Sequence, residues 1–199
     1  MGAISGPNLA HEIARNEPAG TVVASVFSEV CDAGQILLTT PRFRTYRATD
    51  IIGVEWAGTL KNILAIASGA LDALKLGWNS RALLITRGLA EMVRFGVAMG
   101  AKQETFLDLS GVGDVLATCS SPLSRNYRVG YRLALGENLD AILSGVSSTA
   151  EGIRTVKSVW EFARAQGISM PITEGVYQFI EGEMPAQQLI DQLMERRSI

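Results

Sequence analysis

The sequence has 199 residues, of which 47% are hydrophobic, 19% are charged and only 7% are aromatic. This composition is typical of a globular protein with a sizeable core. It is too apolar for a disordered chain and too poor in aromatic residues for most β-sandwiches and barrels. The net charge of −2 comes from 18 basic and 20 acidic residues. We therefore expect neither a nucleic-acid-binding protein nor one held to membrane surfaces by charge.

The cysteine pattern and the hydropathy pattern favour a cytoplasmic location. Cys31 and Cys119 are far apart and belong to no CxxC pair, so we expect two free thiols in a reducing compartment. The most apolar stretch, residues 63–71, is too short to span a bilayer, and no signal peptide is evident. The single His11 has no second ligand nearby in sequence, so we predict no metal site.

Residues 1–49 alternate between strand-like and helix-like segments. A β-branched run at residues 21–25 is typical of a strand, residues 28–37 favour a helix, and residues 43–49 form a second candidate strand. A parallel sheet needs several such β-α-β units, and here there is only the last part of one. We therefore expect residues 1–49 to be the terminal remnant of a nucleotide-binding Rossmann α/β domain.

Residues 50–199 are predicted to form an all-α domain. Residues 50–76 are apolar almost all round and rich in small residues, which favours a buried central helix. Residues 79–99 predict a second long helix. Short helices are expected within residues 104–120, and further ones at residues 124–135, 139–143, 151–166, 171–181 and 186–196.

Local signals predict how several of these helices begin and end. Asn79 is expected to cap the second long helix, and Ser124 to cap the helix predicted at residues 124–135. Arg87 and Glu91 are spaced for an ion pair on a solvated face. Gly167 and Pro171 mark the end of one helix and the start of the next.

Gly111-Val112-Gly113 begins like a dinucleotide-binding fingerprint, but we reject that interpretation. The third glycine position holds Leu116, and no strand is predicted before the motif. The third glycine normally permits close packing of a helix on a sheet, so leucine there contradicts the fingerprint.

Lys61 interrupts the most apolar helix and shares a face with Leu64, Ala65 and Ser68. One interpretation is a lysine whose aliphatic stem lies on the helix while its ammonium reaches water. The other is a partly desolvated ammonium that lines a pocket and donates or accepts a proton. The residues alone leave both interpretations open.

Two further groups carry possible chemistry. Ser124 and Arg125 open a helix, where free backbone N–H groups and a guanidinium could bind a phosphate, although a capped helix with a solvated arginine is equally consistent. Asp114 and Thr118 lie four residues apart on one helix face. The acid could hold Lys61, or the pair could be a simple cap and a helix hydroxyl.

Seven segments carry a resemblance to a known family, and they are residues 4–10, 58–62, 84–91, 111–114, 124–126, 151–152 and 170–173. In this order they resemble the bacterial NAD(P)-dependent glycerol-3-phosphate dehydrogenases, and together they cover nearly the whole chain. The resemblance implies interconversion of dihydroxyacetone phosphate and sn-glycerol 3-phosphate by hydride transfer with NAD or NADP, a step in glycerophospholipid biosynthesis. It also implies a multi-helical domain of the 6-phosphogluconate-dehydrogenase-like type.

The resemblance also implies roles for individual residues. Lys61 corresponds to the general acid/base and Asp114 to its orienting partner. The implied substrate-binding residues are Gly6, Asn8, Asn62, Thr118, Ser124, Arg125 and Asn126. The implied cofactor-binding residues are Ala10, Arg125 and Glu151.

The sequence departs from the family in two ways. Asn8 stands where the family often has Ser or Thr, and the family's first-strand glycine fingerprint and second substrate-site lysine do not occur. We therefore expect that these 199 residues alone do not catalyse hydride transfer.

A homodimer is expected. Two alternatives stay open: a non-catalytic helical module for phosphate-metabolite binding or dimerisation, and a related hydroxy-acid dehydrogenase.

Overall fold

A computed structural model describes residues 1–144 and 150–195. The described chain is mostly helical, with a small sheet near its start, which confirms the predicted fold class. Its strands and first helices are β1 (Ala3–Ser5), α1 (Ala10–Ala14), β2 (Ala19–Ala24), α2 (Ser28–Leu38) and β3 (Phe43–Ala48). The helices that follow are α3 (Ile51–Ala73), α4 (Trp78–Ala98), α5 (Asp114–Ser120), α6 (Arg125–Ala134), α7 (Leu139–Ser144), α8 (Ala150–Ala165), α9 (Pro171–Ile180) and α10 (Ala186–Glu195).

The sheet has the order β1-β2-β3, and its two pairings run in opposite senses. β2 and β3 are parallel, with Val22 opposite Tyr46, and α2 connects them as the predicted β-α-β unit. β1 is antiparallel to β2, with Ile4 opposite Val23. Residues 3–5, directly before Gly6, are therefore an edge strand of this sheet.

The chain divides into two compact units, and the first comprises residues 1–61 and 92–118. Its core lies where the start of α3 packs on the sheet, with Val54 against Val22 and Ala24. A second contact in this unit places the Phe106 ring so close to Gly96 that a Cβ at that glycine would overlap the ring. Burial of these apolar side chains is the main favourable term in the stability of the unit.

Asp50 caps the N-terminus of α3 and holds a loop beside it. Its carboxylate accepts hydrogen bonds from Gly53 N (2.9 Å), Lys102 N (2.8 Å) and Thr105 Oγ1 (2.6 Å). Burial acts to raise the pKa of Asp50, but these hydrogen bonds and the charge of Lys102 together outweigh it. The pKa of Asp50 therefore lies below the ordinary value of 3.8.

The second unit comprises residues 62–91 and the described residues from 119 onward, and α3 packs closely on α6 within it. A Cβ at Gly69 would overlap the carbonyl oxygen of Tyr127, and a Cβ at Gly130 would overlap that of Ile66. Because only glycine permits this approach, the small residues of α3 serve packing within the chain. The predicted buried central helix is confirmed, since Ile66 and its apolar neighbours on α3 are fully buried.

Two local predictions for α4 are wrong. Arg81 N donates to the carbonyl of Gly77, so the helix begins before Asn79, which lies inside its first turn and not at its cap. Glu91 is only 3% exposed, so it is not on a solvated face. A distant segment of the chain covers it, and periodicity along one helix cannot reveal such a contact.

The predictions for the cysteines and for several helix ends are confirmed. Cys31 and Cys119 are buried and free. Gly167 ends α8 with φ +67°, and Pro171 is the first residue of α9. Within the described parts of the chain, no helix combines the length and the hydropathy that crossing a membrane requires.

Candidate active site around Lys61

The Lys61 ammonium is paired with the buried carboxylate of Asp114. Lys61 lies on α3, Asp114 is the first residue of α5, and Nζ contacts Oδ2 directly. The side chain of Lys61 is 21% exposed and that of Asp114 only 3%. The lysine is therefore held by a buried partner, which favours the pocket-lining interpretation over a side chain that only reaches water.

Asp114 is held through both of its carboxylate oxygens. Thr118 Oγ1, one helical turn further along α5, donates to Oδ1 at 3.2 Å, as the four-residue spacing predicts. Ser5 Oγ, at the end of β1, donates to Oδ2 at 3.3 Å. A carboxylate that accepts several hydrogen bonds has a fixed orientation, so its partner ammonium is fixed as well.

The loop after β1 depends on a glycine at position 6. Gly6 has φ +151°, and a Cβ there would lie only 3.0 Å from the carbonyl oxygen of Gly20. Asn8 Nδ2 donates to Thr21 Oγ1 at 2.9 Å, while Asn8 Oδ1 is buried and has no hydrogen-bond partner among the described residues. The Asn8 amide is thus anchored at one end and unsatisfied at the other.

The Lys61–Asp114 pair lines a cavity of about 300 Å³ in the first unit. This volume equals that of about ten water molecules, which is the scale of a small metabolite and several times smaller than a dinucleotide. Part of the wall is backbone, because Gly6 and Gly58 carry no side chains. The cavity is lined by Ile4, Ser5, Gly6, Asn8, Leu9, Gly58, Lys61, Asp114 and Thr118.

The start of α6 is capped by Ser124, as predicted. Ser124 has extended backbone angles, and its Oγ accepts a hydrogen bond from Tyr127 N at 3.4 Å. Arg125, the first residue of the helix, is exposed. The arrangement places backbone N–H groups and a guanidinium at one helix terminus, which is chemistry suited to an anion.

Tyr127 ties the start of α6 to α3 and α4. Its hydroxyl hydrogen-bonds to the Asp72 carboxylate, which also pairs with Arg81. Burial raises the pKa of Tyr127, and the hydrogen bond to Asp72 and the charge of that carboxylate raise it further, to about 12. The phenol therefore stays protonated and keeps donating to Asp72 across the neutral range.

Asn126 lies directly over the first turn of α8. A Cβ at Gly152 would overlap Asn126 Oδ1, so the amide occupies its place only because position 152 has no side chain. Glu151, a predicted cofactor contact, lies in the same turn, but its side chain is outside the part of the chain that the structure describes.

The predicted site residues fall into two groups. Gly6, Asn8, Lys61, Asp114 and Thr118 line one cavity. The residues Ser124, Arg125 and Asn126 share the start of α6 in the second unit.

Two further predicted contact residues lie on α3 and α1. Asn62 follows Lys61 on α3 and is partly buried, and Ala10 is exposed at the start of α1.

Sequence reasoning assigned no site role to four residues that line the cavity, Ile4, Ser5, Leu9 and Gly58. Ser5 contacts a carboxylate 109 positions away, and no local pattern points to that contact. Gly58 lies one turn before Lys61, in a segment that carries the family resemblance, but that resemblance implied no role for it. The spacing of Gly58 and Lys61 was the available signal, since both fall on one helix face.

The comparison with known protein families gives one match over most of the chain. Residues 50–191 match the model of the NAD-dependent glycerol-3-phosphate dehydrogenase C-terminus. The chain belongs to this family.

Curated members of the glycerol-3-phosphate dehydrogenase family are similar over nearly the whole chain. A glycerol-3-phosphate dehydrogenase [NAD(P)+] of Nostoc sp. is 54% identical over 193 residues, which are 97% of this chain and 63% of the relative. The corresponding protein of Geobacter sulfurreducens is 48% identical over 97% of this chain and 58% of its own length. The chain thus spans less than two thirds of these relatives.

Solved structures of the family have the same fold. The glycerol-3-phosphate dehydrogenase of Coxiella burnetii matches with a TM-score of 0.93 and 42% identity, over 98% of this chain and 60% of that one. The Saccharomyces cerevisiae enzyme matches with a TM-score of 0.84 and 29% identity, over 98% of this chain and 59% of that one.

Proposed function

We propose that this chain forms the substrate-binding and proton-transfer part of a glycerol-3-phosphate dehydrogenase. The reaction is the interconversion of dihydroxyacetone phosphate and sn-glycerol 3-phosphate, within glycerophospholipid biosynthesis. The observation that carries the proposal is the Lys61 ammonium, paired with buried Asp114 on the wall of a small cavity. Membership of the family supports the choice of reaction. The free buried thiols suit the cytoplasm as the compartment.

The proposed role of Lys61 is that of a general acid and base. When bound, NADH or NADPH supplies the hydride that reduces the substrate carbonyl carbon. Lys61 Nζ donates a proton to the carbonyl oxygen as its negative charge develops, which completes the alcohol, and the amine then regains a proton from water. In the reverse direction the amine takes the hydroxyl proton. Asp114 orients the ammonium throughout.

The cavity supports a substrate of three carbons and one phosphate. Dihydroxyacetone phosphate has about ten non-hydrogen atoms, close to the number of water molecules that the cavity volume equals. We propose that Asn8, Thr118 and the backbone of Gly6 contact this substrate. Ser124, Arg125 and Asn126 do not line this cavity, and we propose them separately as a phosphate-binding group at the start of α6 in the second unit. Asn62 is proposed as a further substrate contact.

The residues described here fit the reacting end of the cofactor and not a whole dinucleotide. The backbone wall at Gly6 and Gly58 permits close approach of a flat ring, but the cavity is too small for the remainder. The described residues contain one parallel β-α-β unit, whereas a Rossmann fold binds dinucleotides with two larger halves. We propose Ala10, Arg125 and Glu151 as the cofactor contacts of this chain. We also propose that the protein acts as a homodimer.

The test uses a hybrid enzyme, in which this chain replaces the region it matches in the Nostoc relative. We expect the hybrid to reduce dihydroxyacetone phosphate with NADH or NADPH, and Lys61→Ala to lower kcat by about 10²- to 10⁴-fold. Lys157→Ala, which changes an exposed lysine of α8, is the matched control. The 199-residue chain alone should give no steady turnover.

Three outcomes separate the competing functions. Full turnover by Lys61→Ala would refute the catalytic role. An inactive hybrid that still binds dihydroxyacetone phosphate would favour a non-catalytic binding module. Equal turnover of substrates with and without a phosphate would favour a related hydroxy-acid dehydrogenase instead.

A further inference from the structure

Ser5 ends β1 with its hydroxyl against the carboxylate that pairs with Lys61. Its Oγ donates to Asp114 Oδ2, the same oxygen that Lys61 Nζ contacts. We propose that Ser5 is a positioning residue: it holds Asp114 in place, and Asp114 in turn holds the Lys61 ammonium at the cavity. The consequence for turnover rests on the proposed function, whereas the positioning itself does not.

The hydrogen bond from the Ser5 hydroxyl connects Asp114 to β1 of the sheet. Thr118 also donates to Asp114, but both residues lie on α5 and move together. Ser5 belongs to a different element, so its hydrogen bond restricts the carboxylate relative to β1 and to the Gly6 loop that follows. A carboxylate held from two elements has fewer accessible rotamers than one held from its own helix.

Ser5 is itself held at a rigid position. Its backbone pairs with Val22 of β2, and its carbonyl accepts a hydrogen bond from the fully buried Thr21 Oγ1 at 3.1 Å. A side chain on a paired strand is positioned more accurately than one on a loop. The hydroxyl therefore presents Asp114 with a fixed donor.

The helix that carries Lys61 leaves space for this hydroxyl. Gly58 lies one turn before Lys61, and a Cβ there would lie 3.1 Å from Ser5 Oγ but 3.9 Å from Ser5 Cβ. The first distance is tighter than about nine in ten real Cβ contacts, and the second is an ordinary van der Waals distance. An alanine at position 58 would thus press on the Ser5 hydroxyl and on no other part of that side chain.

The first experiment measures the reactivity of Lys61 in the 199-residue chain itself. Brief labelling with acetic anhydride, followed by peptide mass spectrometry, gives the acetylation rate of Lys61 relative to exposed Lys157. An amine held against a carboxylate reacts slowly, because acetylation needs a free lone pair and an open approach to the nitrogen. We expect Ser5→Ala to raise the Lys61 rate by about two- to five-fold, and Asp114→Asn to raise it further.

Two variants control for the loss of the hydroxyl and for folding. Ser5→Thr keeps a hydroxyl and should retain the parent rate. Gly58→Ala should raise the Lys61 rate in the parent, but should add nothing in the Ser5→Ala background, where no Oγ is present to be displaced. An unchanged Lys61 rate in Ser5→Ala, with Asp114→Asn still raising it, would overturn the positioning role. If Ser5→Ala does not fold, an unchanged rate in Gly58→Ala does the same.

The second experiment measures turnover in the hybrid enzyme. Ser5→Ala should lower kcat by about tenfold, the effect of one hydrogen bond to a charged group, with KM within about twofold of the parent. In the Asp114→Asn background the same substitution should have no effect on kcat, because Ser5 acts through that carboxylate. Independent, multiplying effects would contradict the inference. Failure of the proposed function would appear differently, as unchanged turnover in Lys61→Ala.

Discussion

Replacing the buried Glu91 of α4 with alanine should lower the free energy of unfolding of this protein substantially. The carboxylate is 3% exposed and accepts hydrogen bonds from Ile172 N at 2.6 Å, Thr173 N at 3.1 Å and Thr173 Oγ1 at 3.2 Å. Glu91 thus caps α9, the helix that begins at Pro171. The backbone N–H groups of Ile172 and Thr173 lie in its first turn, where the helix itself offers no carbonyl acceptor.

The size of the effect follows from these contacts. A hydrogen bond to a charged group contributes about 1.5–3 kcal/mol, and removing one side of a buried charged contact costs about 3–5 kcal/mol in all. We therefore expect Glu91→Ala to lower the free energy of unfolding by about 4 kcal/mol. For a chain of this length, that corresponds to a fall in Tm of about 8–16 °C.

Urea denaturation of the 199-residue chain, followed by circular dichroism, measures this difference. Thr173→Val removes one of the three hydrogen bonds to this carboxylate and should cost about 1.5 kcal/mol. Arg87→Ala changes the exposed residue one turn away and should stay within about 0.5 kcal/mol of the parent. A loss below about 1 kcal/mol in Glu91→Ala would refute the capping argument, as would an equal loss in Arg87→Ala.

Three further changes test the packing and the electrostatics. Gly130→Ala should lower the free energy of unfolding by about 2–4 kcal/mol, because its Cβ would overlap a backbone carbonyl of α3, whereas Gly77→Ala, with nothing within 4 Å, should not. The folded-state pKa of Asp50 is depressed, so the ionised carboxylate stabilises the folded protein. The parent should therefore be more stable than Asp50→Asn by its full amount above about pH 4. Urea midpoints measured against pH should show this advantage disappearing as the pH falls through the depressed pKa, and a constant difference down to pH 2 would contradict it. The Tyr127 phenol should titrate near pH 12 by ultraviolet absorbance, and Asp72→Asn should lower that pKa; titration near 10 in the parent would refute the burial and hydrogen-bond argument.

Features that depend on neighbours in sequence could be predicted from the sequence. Ser124 caps α6 because its hydroxyl reaches an N–H three residues away, and Thr118 reaches Asp114 across one helical turn. Gly167 ends α8 because the left-handed backbone there costs glycine nothing. In each case the partner lies within a few residues, where spacing and stereochemistry determine the contact.

Features that depend on distant partners could not be predicted in this way. Glu91 has the spacing of a surface ion pair with Arg87, yet α9 covers it, and nothing near position 91 encodes that segment. The contact of Ser5 with Asp114 and the antiparallel direction of β1 also arise from chain segments that meet only in the fold. Lys61 is intermediate. Its cost in an apolar helix indicated a partner and the residues offered Asp114 as one candidate, while the family resemblance was needed to choose it.

The contact between Asn126 and Gly152 has a consequence for how this protein can vary. Because a Cβ at position 152 would occupy the space of the Asn126 amide, position 152 cannot gain a side chain while position 126 keeps its asparagine. Natural variants with alanine or a larger residue at position 152 should therefore carry a shorter side chain at position 126. Substitutions at position 152 should therefore covary with substitutions at position 126. Random mutation libraries should recover changes at position 152 mainly together with a second change at position 126.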